Sequence, residues 1–225
     1  MATTHKPYKG PAMEGAIASW YSRITRTDRG YTTLAAAIAA RLSAGARVLE
    51  VAPGPGYLAI ELARRGLRVT AVDISHSFVR IAGDHARAAG VDLDIRHGNA
   101  AQLPCADDVF DFVVCRAAFK NFADPLGALN ETYRVLAPGG RASIIDLRRE
   151  ASRAEVRAAV DGMQLGWLNA LWTRATFRWF LLKKAYAQPA IEALVARSRF
   201  GRGDIRRDGI GFDLRLEKPR ANLDA

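Results

Sequence analysis

The sequence predicts an α/β fold: a doubly wound, mainly parallel seven-stranded sheet, with a helical cap before it and a helical lid ahead of a closing β-hairpin. Three observations carry this expectation. Short apolar runs alternate with amphipathic helical stretches from Arg47 to Glu150, the rhythm of consecutive βαβ units. Glycine stops the helical stretches, at Gly66, at Gly90 and at Gly139-Gly140. Near the end, GDIRRDGIGFDLRLEKP reads as two strands joined at Asp208-Gly209, a hairpin turn signal.

Each element follows in order. Met13 to Leu42 reads as two helical pieces broken at TRTDRG, with Leu34, Ile38 and Leu42 at helical spacing in the second. RVLEVA (Arg47 to Ala52) is a first strand, and YLAIELARRG a helix that ends at Gly66. LRVTAVDIS is a second strand carrying Asp73 at its end, SFVRIAGDHARAAG a helix, and VDLDIRHGNA holds a third strand. FDFVVCRA (Phe110 to Ala117) is a fourth strand, DPLGALNETYRVLAPGG a helix closing at Pro138-Gly139-Gly140, and RASIIDLRRE a fifth strand. Ala151 to Val195 is mostly helical in pattern. The 225 residues suit a single domain: cap over 1–45, core over 46–150, lid over 151–197, hairpin and tail over 198–225. Ligands of such sheets bind at the carboxyl ends of the strands, where the strand order reverses. The polar candidates of the core lie at those ends.

Composition narrows the class. With 49% hydrophobic and 25% charged residues the chain can bury a proper core. It has no run of about 18 apolar residues and no apolar segment in its opening MATTHKPYKG, so a cytoplasmic protein is expected. Cys105 and Cys115 form neither a ligand pattern nor a disulfide framework, and His5, His76, His85 and His97 have no ligand spacing, so no metal is expected. The net charge of +10 can attract nucleic acid, anionic lipid or an acidic small molecule. It is spread along the chain and selects none of them.

The stretch EVAPGPG (Glu50 to Gly56) between the first strand and its helix admits two ligands. Gly54-Pro55-Gly56 with Ala59 satisfies the looser dinucleotide pattern, and Asp73 follows Gly54 at the spacing of a ribose-gripping acid. Against a nicotinamide stand Glu50, poised for a cationic ligand group, the lack of a Tyr-x-x-x-Lys pair, and a chain too short for a separate substrate domain. S-adenosylmethionine carries an ammonium and a carboxylate side by side. Glu50 can meet the first, and the unpaired N–H groups of the loop and helix start can meet the second. The glycines allow close approach, and Pro53 and Pro55 stiffen the loop.

From Val48 to Asp146 the chain resembles the class I S-adenosylmethionine-dependent methyltransferases of small-molecule type, whose Rossmann-like sheet ends with an antiparallel strand. EVAPGPG is similar to their first motif, with Ala52 at a glycine position, where it is expected to keep φ negative. VTAVDIS matches the second, which implies that Asp73 holds the ribose hydroxyls and Ile74 packs on adenine. HGNAAQLP resembles the third, implying that the Asn99 amide oxygen accepts from the adenine amino group and that Ala100 offers its backbone N–H. Cys115 and Arg116 then end the strand that faces the cofactor's methionyl end, with backbone contacts from Cys115. Arg116 reaches either an acidic acceptor or a surface carboxylate. Tyr21, in the capping helix, is a further cofactor contact. The implied cofactor is S-adenosyl-L-methionine and the product S-adenosyl-L-homocysteine.

AAFKNFAD (Ala117 to Asp124) resembles a segment of the ubiquinone and menaquinone C-methyltransferases, with Lys120 in place of arginine and Asn121 retained. This implies an electron-rich phenolic, quinol or heterocyclic ring as acceptor, and leaves transfer to carbon, oxygen or nitrogen open. Lys120 is expected either to hold the acceptor's anion or to take its proton, and Asn121 to orient the ring; the alternative for Lys120 is an ordinary surface lysine. Met163, Trp167, Leu168, Leu171, Trp172 and Phe177 are expected to wall an apolar acceptor pocket under the lid. Segment 163–186 as a membrane-contacting helix is the weaker reading. His97 is expected to be structural or exposed. Two rivals remain: a nucleic-acid methyltransferase, which the absence of an NPPY-like motif and of an added RNA-binding domain opposes, and a cofactor-binding protein without catalysis. The partner is a small molecule, and the sequence leaves monomer and homodimer open.

Overall fold

The structure is a computed structural model and describes residues 8–9, 13–26, 30–162 and 182–220. Its centre is a seven-stranded sheet in the order β3-β2-β1-β4-β5-β7-β6. The strands are β1 (Arg47–Val51), β2 (Arg68–Asp73), β3 (Asp94–His97), β4 (Phe110–Arg116), β5 (Leu136–Leu147), β6 (Asp204–Asp208) and β7 (Gly211–Glu217). β1 through β5 are parallel, and β7 runs antiparallel between β5 and β6. The doubly wound sheet and the hairpin are therefore as the sequence predicts. The strand order reverses between β1 and β4, which opens a crevice at their carboxyl ends.

Alternation along the strands explains why helices cover both faces. Val48, Phe112 and Val114 join Leu58, Leu62 and Ile38 in one core. Leu49, Val51, Val113 and Cys115 face the other way, onto Leu129, Val135 and Ile191. The first core lies beneath α2 (Gly30–Ala39) and α3 (Tyr57–Ala63), the second beneath α5 (Pro125–Val135) and α8 (Gln188–Arg197). Period-two alternation with apolar residues on both faces is what a buried parallel sheet requires.

Helix starts and stops follow from local chemistry. Ser75 accepts the Phe78 N–H at the start of α4 (His76–Ala89), which Gly90 closes at φ +67°. Asp124 accepts the Gly127 N–H ahead of Pro125, and Ser152 and Glu155 form a reciprocal capping box on α6 (Arg153–Asp161). Two expectations shift. The helix does not reach Pro138-Gly139-Gly140; it ends at Val135, and β5 already begins at Leu136. Pro138 disfavours helical geometry in the residue before it, and a Cβ on Gly140 would lie 2.8 Å from Ala137 O and 3.0 Å from Phe110 O, so the glycine serves close strand approach. The part of the expected lid that falls within the described residues consists of α6, a helical turn α7 (Leu182–Lys184) and α8. Met163, Trp167, Leu168, Leu171, Trp172 and Phe177 lie outside the described residues.

The cap is fastened to the sheet layer. Helix α1 (Gly15–Thr25) packs against α4. Glu14 accepts the Ser77 N–H at 2.9 Å, Gly15 N donates to Ser77 Oγ at 2.9 Å, and Ser75 Oγ donates to Met13 O at 2.6 Å. Tyr57 OH donates to Ser22 O at 2.9 Å, and its ring stacks on His85 at 5.1 Å. Among the described residues, no helix is long and apolar enough to cross a membrane.

Candidate functional site

Two acids stand at the carboxyl ends of adjacent strands. Glu50, near the end of β1, is 3% exposed. The backbone N–H of Ala59, in the first turn of α3, bonds its carboxylate, while Oε2 is buried with no hydrogen-bond partner. Burial pushes its pKa up from 4.5 to about 8, against the Ala59 bond and the positive charge of Arg116. Asp73, at the end of β2, accepts from Gly54 N at 3.0 Å and from Ser75 N at 2.8 Å. Burial outweighs these bonds and lifts its pKa to about 6. Asp73 thus pins the glycine loop to β2, and its carboxylate retains lone pairs for a ligand hydroxyl.

The loop between them is built for close contact. Gly54 and Gly56 have φ +55° and +81°, and a Cβ on Gly56 would lie 2.9 Å from Ala82 Cβ. Pro53 is buried, and its carbonyl accepts the Gly56 N–H at 3.1 Å. Ala52 corrects an expectation: its φ is +56°, in the left-handed region and not negative. Its N–H is bonded to Val72 O at 2.8 Å, so pairing with β2 fixes the turn that glycine would make without strain. Ala117, just past β4, is a second alanine in this conformation, at φ +61°. Non-glycine strain of this kind gathers at ligand sites.

The remaining cofactor candidates divide. Ile74 is half-buried, and its carbonyl meets His97 Nε2 at 3.0 Å; exposed His97 stacks on His76 at 3.7 Å. Asn99 Oδ1 accepts the Ala101 N–H at 3.0 Å, so a contact to adenine would fall to its second lone pair or its amide N–H. Ala100 lies half-buried beside it. Cys115 is buried, and burial pushes its thiol pKa well up. The Arg116 guanidinium lies over the Tyr31 ring at 4.4 Å, and its charge is felt by Glu50. Tyr21 packs edge-on against Phe78 at 5.9 Å, on the α4 side of the loop.

Across the crevice, Lys120 is no surface lysine. Its Nζ donates to Asp146 Oδ1 and to Ala117 O, each at 2.7 Å, and the side chains of Lys120 and Asp146 are 8% and 1% exposed. Asp146, near the end of β5, also accepts from Lys120 N and Leu147 N. With two of three donors engaged, Lys120 is placed to offer its third to an acceptor oxygen. Asn121 is half-buried in the same turn, and its carbonyl accepts the Lys9 N–H at 2.7 Å. The Cys115 thiol feels the charges of Asp146, Lys120 and Glu50 together, so these groups converge on the end of β4.

Sequence reasoning missed three residues here. Asp146 shares the strand-end acid pattern of Asp73 and could have been found by it. Tyr8 and Tyr186 carry no pattern; each phenol feels the charge of Asp146. A cavity of about 450 Å³ lies at the amino ends of β1, β4 and β5, lined by Arg41, Asp111, Gly139 and Arg141. It contains none of the strand-end acids, and the chemistry is on the other side.

Comparison with known proteins decides between the two ligands. Residues 49–144 match the family model described as a methyltransferase domain. Over these residues the chain is similar to S-adenosylmethionine-dependent methyltransferases. It is 38% identical over 157 residues to a demethylmenaquinone methyltransferase of Deinococcus radiodurans, covering 65% of each chain. It is 36% identical over 97 residues to a ubiquinone biosynthesis O-methyltransferase of Ruegeria pomeroyi, covering 43% of this chain and 39% of the relative. The chain thus spans less than two thirds of the length of these relatives. A structure from Methanococcus maripaludis, proposed to be an S-adenosylmethionine-dependent methyltransferase, has the same fold with TM-score 0.75, 21% identity and 99% coverage of both chains. A SAM-dependent methyltransferase from Aquifex aeolicus matches at TM-score 0.67 and 18% identity, over 89% of this chain and 97% of that one.

The residues of this methyltransferase domain fit the donor. A buried carboxylate oxygen without a partner suits the methionyl ammonium, the Gly54–Gly56 cradle leaves backbone room, and Asp73 suits ribose hydroxyls.

Proposed function

We propose that the protein methylates a small-molecule acceptor, an electron-rich hydroxylated ring of phenol or quinol type, at the expense of S-adenosylmethionine. The observation that carries this reading is the convergence, at one crevice, of the partnerless Glu50 oxygen with the buried Lys120–Asp146 pair. Glu50 asks for a ligand cation. Lys120 offers an N–H to a ligand oxygen. The bound cofactor supplies a methyl group activated on a sulfonium. Glu50 and the loop orient its methionyl end, Asp73 and Gly54 its ribose side, and Lys120 holds the acceptor's oxyanion in line. Alignment and exclusion of water are the protein's share of such a transfer. The names of the relatives, demethylmenaquinone and ubiquinone biosynthesis methyltransferases, support a quinol-type ring.

The test is incubation of the protein with S-adenosylmethionine and a panel of phenols, quinols, heterocycles and RNA, with S-adenosylhomocysteine as readout. Product is expected with hydroxylated rings. Product with RNA alone, or with none of the panel despite donor binding, contradicts the proposal.

A further inference from the structure

Residues 8 and 9 lie against the turn that carries Lys120. Tyr8 forms an antiparallel bridge with Phe122, and the Lys9 N–H is bonded to Asn121 O at 2.7 Å. Phe122 is itself buried and packs edge-on against Phe119 at 5.7 Å, so the anchor is firm. From this anchor the half-buried Tyr8 phenol comes within electrostatic reach of Asp73, Tyr21 and Asp146. Asp73 ends β2 and Asp146 lies near the end of β5, and in the sheet β1 and β4 stand between those strands. The bridge to Phe122 holds Tyr8 beside the segment that leaves β4, next to the β1–β4 gap where the strand order reverses, and its reach to both acids agrees with that place.

We propose that Tyr8 is a positioning residue for methyl transfer, its ring roofing the gap between the Asp73 side and the Lys120–Asp146 side and its hydroxyl aligning the acceptor's ring oxygen. The inference rests on the proposed function and adds to it a residue from outside the matched domain. Burial and the two carboxylates push the phenol pKa up to about 12, so Tyr8 acts as a neutral hydrogen-bond donor and not as a base. A neutral donor anchored on the turn that carries Lys120 suits an acceptor with a ring hydroxyl or oxyanion.

The experiment compares the full chain with Tyr8→Phe and Tyr8→Ala. Calorimetry gives S-adenosylmethionine affinity, thermal unfolding gives stability, and initial rates with 1,4-dihydroxynaphthalene as acceptor give kcat and KM. Tyr8→Phe is expected to keep the melting temperature and, within about threefold, donor affinity, while kcat/KM falls about tenfold, the scale of one lost hydrogen bond. Tyr8→Ala is expected to lose the roof and weaken donor binding too. Unchanged kcat/KM in Tyr8→Phe overturns the proposal, as does a loss of donor affinity equal to the loss of turnover. Protein labelled with 3-fluorotyrosine supplies a readout without turnover: the Tyr8 resonance, assigned with Tyr8→Phe, must shift on saturation with S-adenosylhomocysteine. An unmoved line in protein that binds S-adenosylhomocysteine overturns the role of Tyr8 whatever the acceptor. Protein that binds neither donor nor product contradicts the proposed function instead.

Discussion

Replacing Glu50 with glutamine should make the fold more stable near pH 9 and the protein worse at binding its donor. The ordinary carboxyl value of 4.5 and the value of about 8 in the fold differ through burial. At about 1.4 kcal/mol per tenfold, that gap corresponds to roughly 5 kcal/mol of penalty on the ionised form. The native protein holds this proton more tightly than the unfolded chain does. Between pH 4.5 and about 8 it binds more protons, so the Glu50 contribution to stability falls as pH rises through that window and is level outside it. Glutamine keeps the shape without the charge, although its amide leaves a buried donor to satisfy, which offsets about 1–3 kcal/mol. Glu50→Gln should thus lie about 0–2 kcal/mol below wild type near pH 5 and exceed it by about 2–4 kcal/mol near pH 9, there a rise of roughly 5–10 °C in melting temperature. Thermal unfolding followed by circular dichroism at pH 5, 7 and 9 reads this directly. S-adenosylmethionine affinity should fall about 10- to 100-fold, the worth of a charge-assisted bond. Parallel stability curves for the two proteins, or tighter donor binding by the variant, would refute the reasoning.

Three further outcomes follow from the same geometry. Gly56→Ala combines a φ of +81° with a Cβ 2.9 Å from Ala82 Cβ, and should cost about 2–4 kcal/mol in urea unfolding together with most donor affinity. Ala52→Gly relieves the left-handed strain but loosens the unfolded chain, for a net gain of about 0–1 kcal/mol; a loss above that size would mean the Ala52 methyl packs usefully. Lys120→Ala leaves the Asp146 carboxylate buried with backbone bonds alone, so it should destabilise by about 3 kcal/mol and lower turnover at least tenfold, with donor affinity by calorimetry nearly unchanged.

Much of the site was legible because a parallel sheet gathers its chemistry at strand ends. The alternation that buries Val48 and Leu49 on opposite faces also fixes where β1 stops, and so exposes Glu50 and Asp73 as acids in a place where acids are costly. What sequence could not show was pairing over distance. Lys120 meets Asp146 across 26 positions, and nothing local marks the two as partners. Tyr8 is anchored by a bridge to Phe122, a contact without periodicity. Ala52 misled because residue type argues for negative φ, while the hydrogen bond to Val72 O dictates otherwise. The bond from the Ala101 N–H to the Asn99 amide oxygen is a local detail that the motif does not announce. The Tyr31 ring under the Arg116 guanidinium is likewise a contact that no local pattern announces.

The most direct test of the central claim is calorimetric titration with S-adenosylmethionine, with NAD(H) and NADP(H) in parallel, at pH 7 in two buffers of different ionisation enthalpy. The account predicts binding of the methyl donor alone. Because Glu50 is largely protonated at pH 7 and its new ammonium partner favours the ionised form, binding should release on the order of one proton. Donor binding without proton release would contradict the role given to Glu50. Binding of a nicotinamide cofactor in place of the donor would contradict the account as a whole.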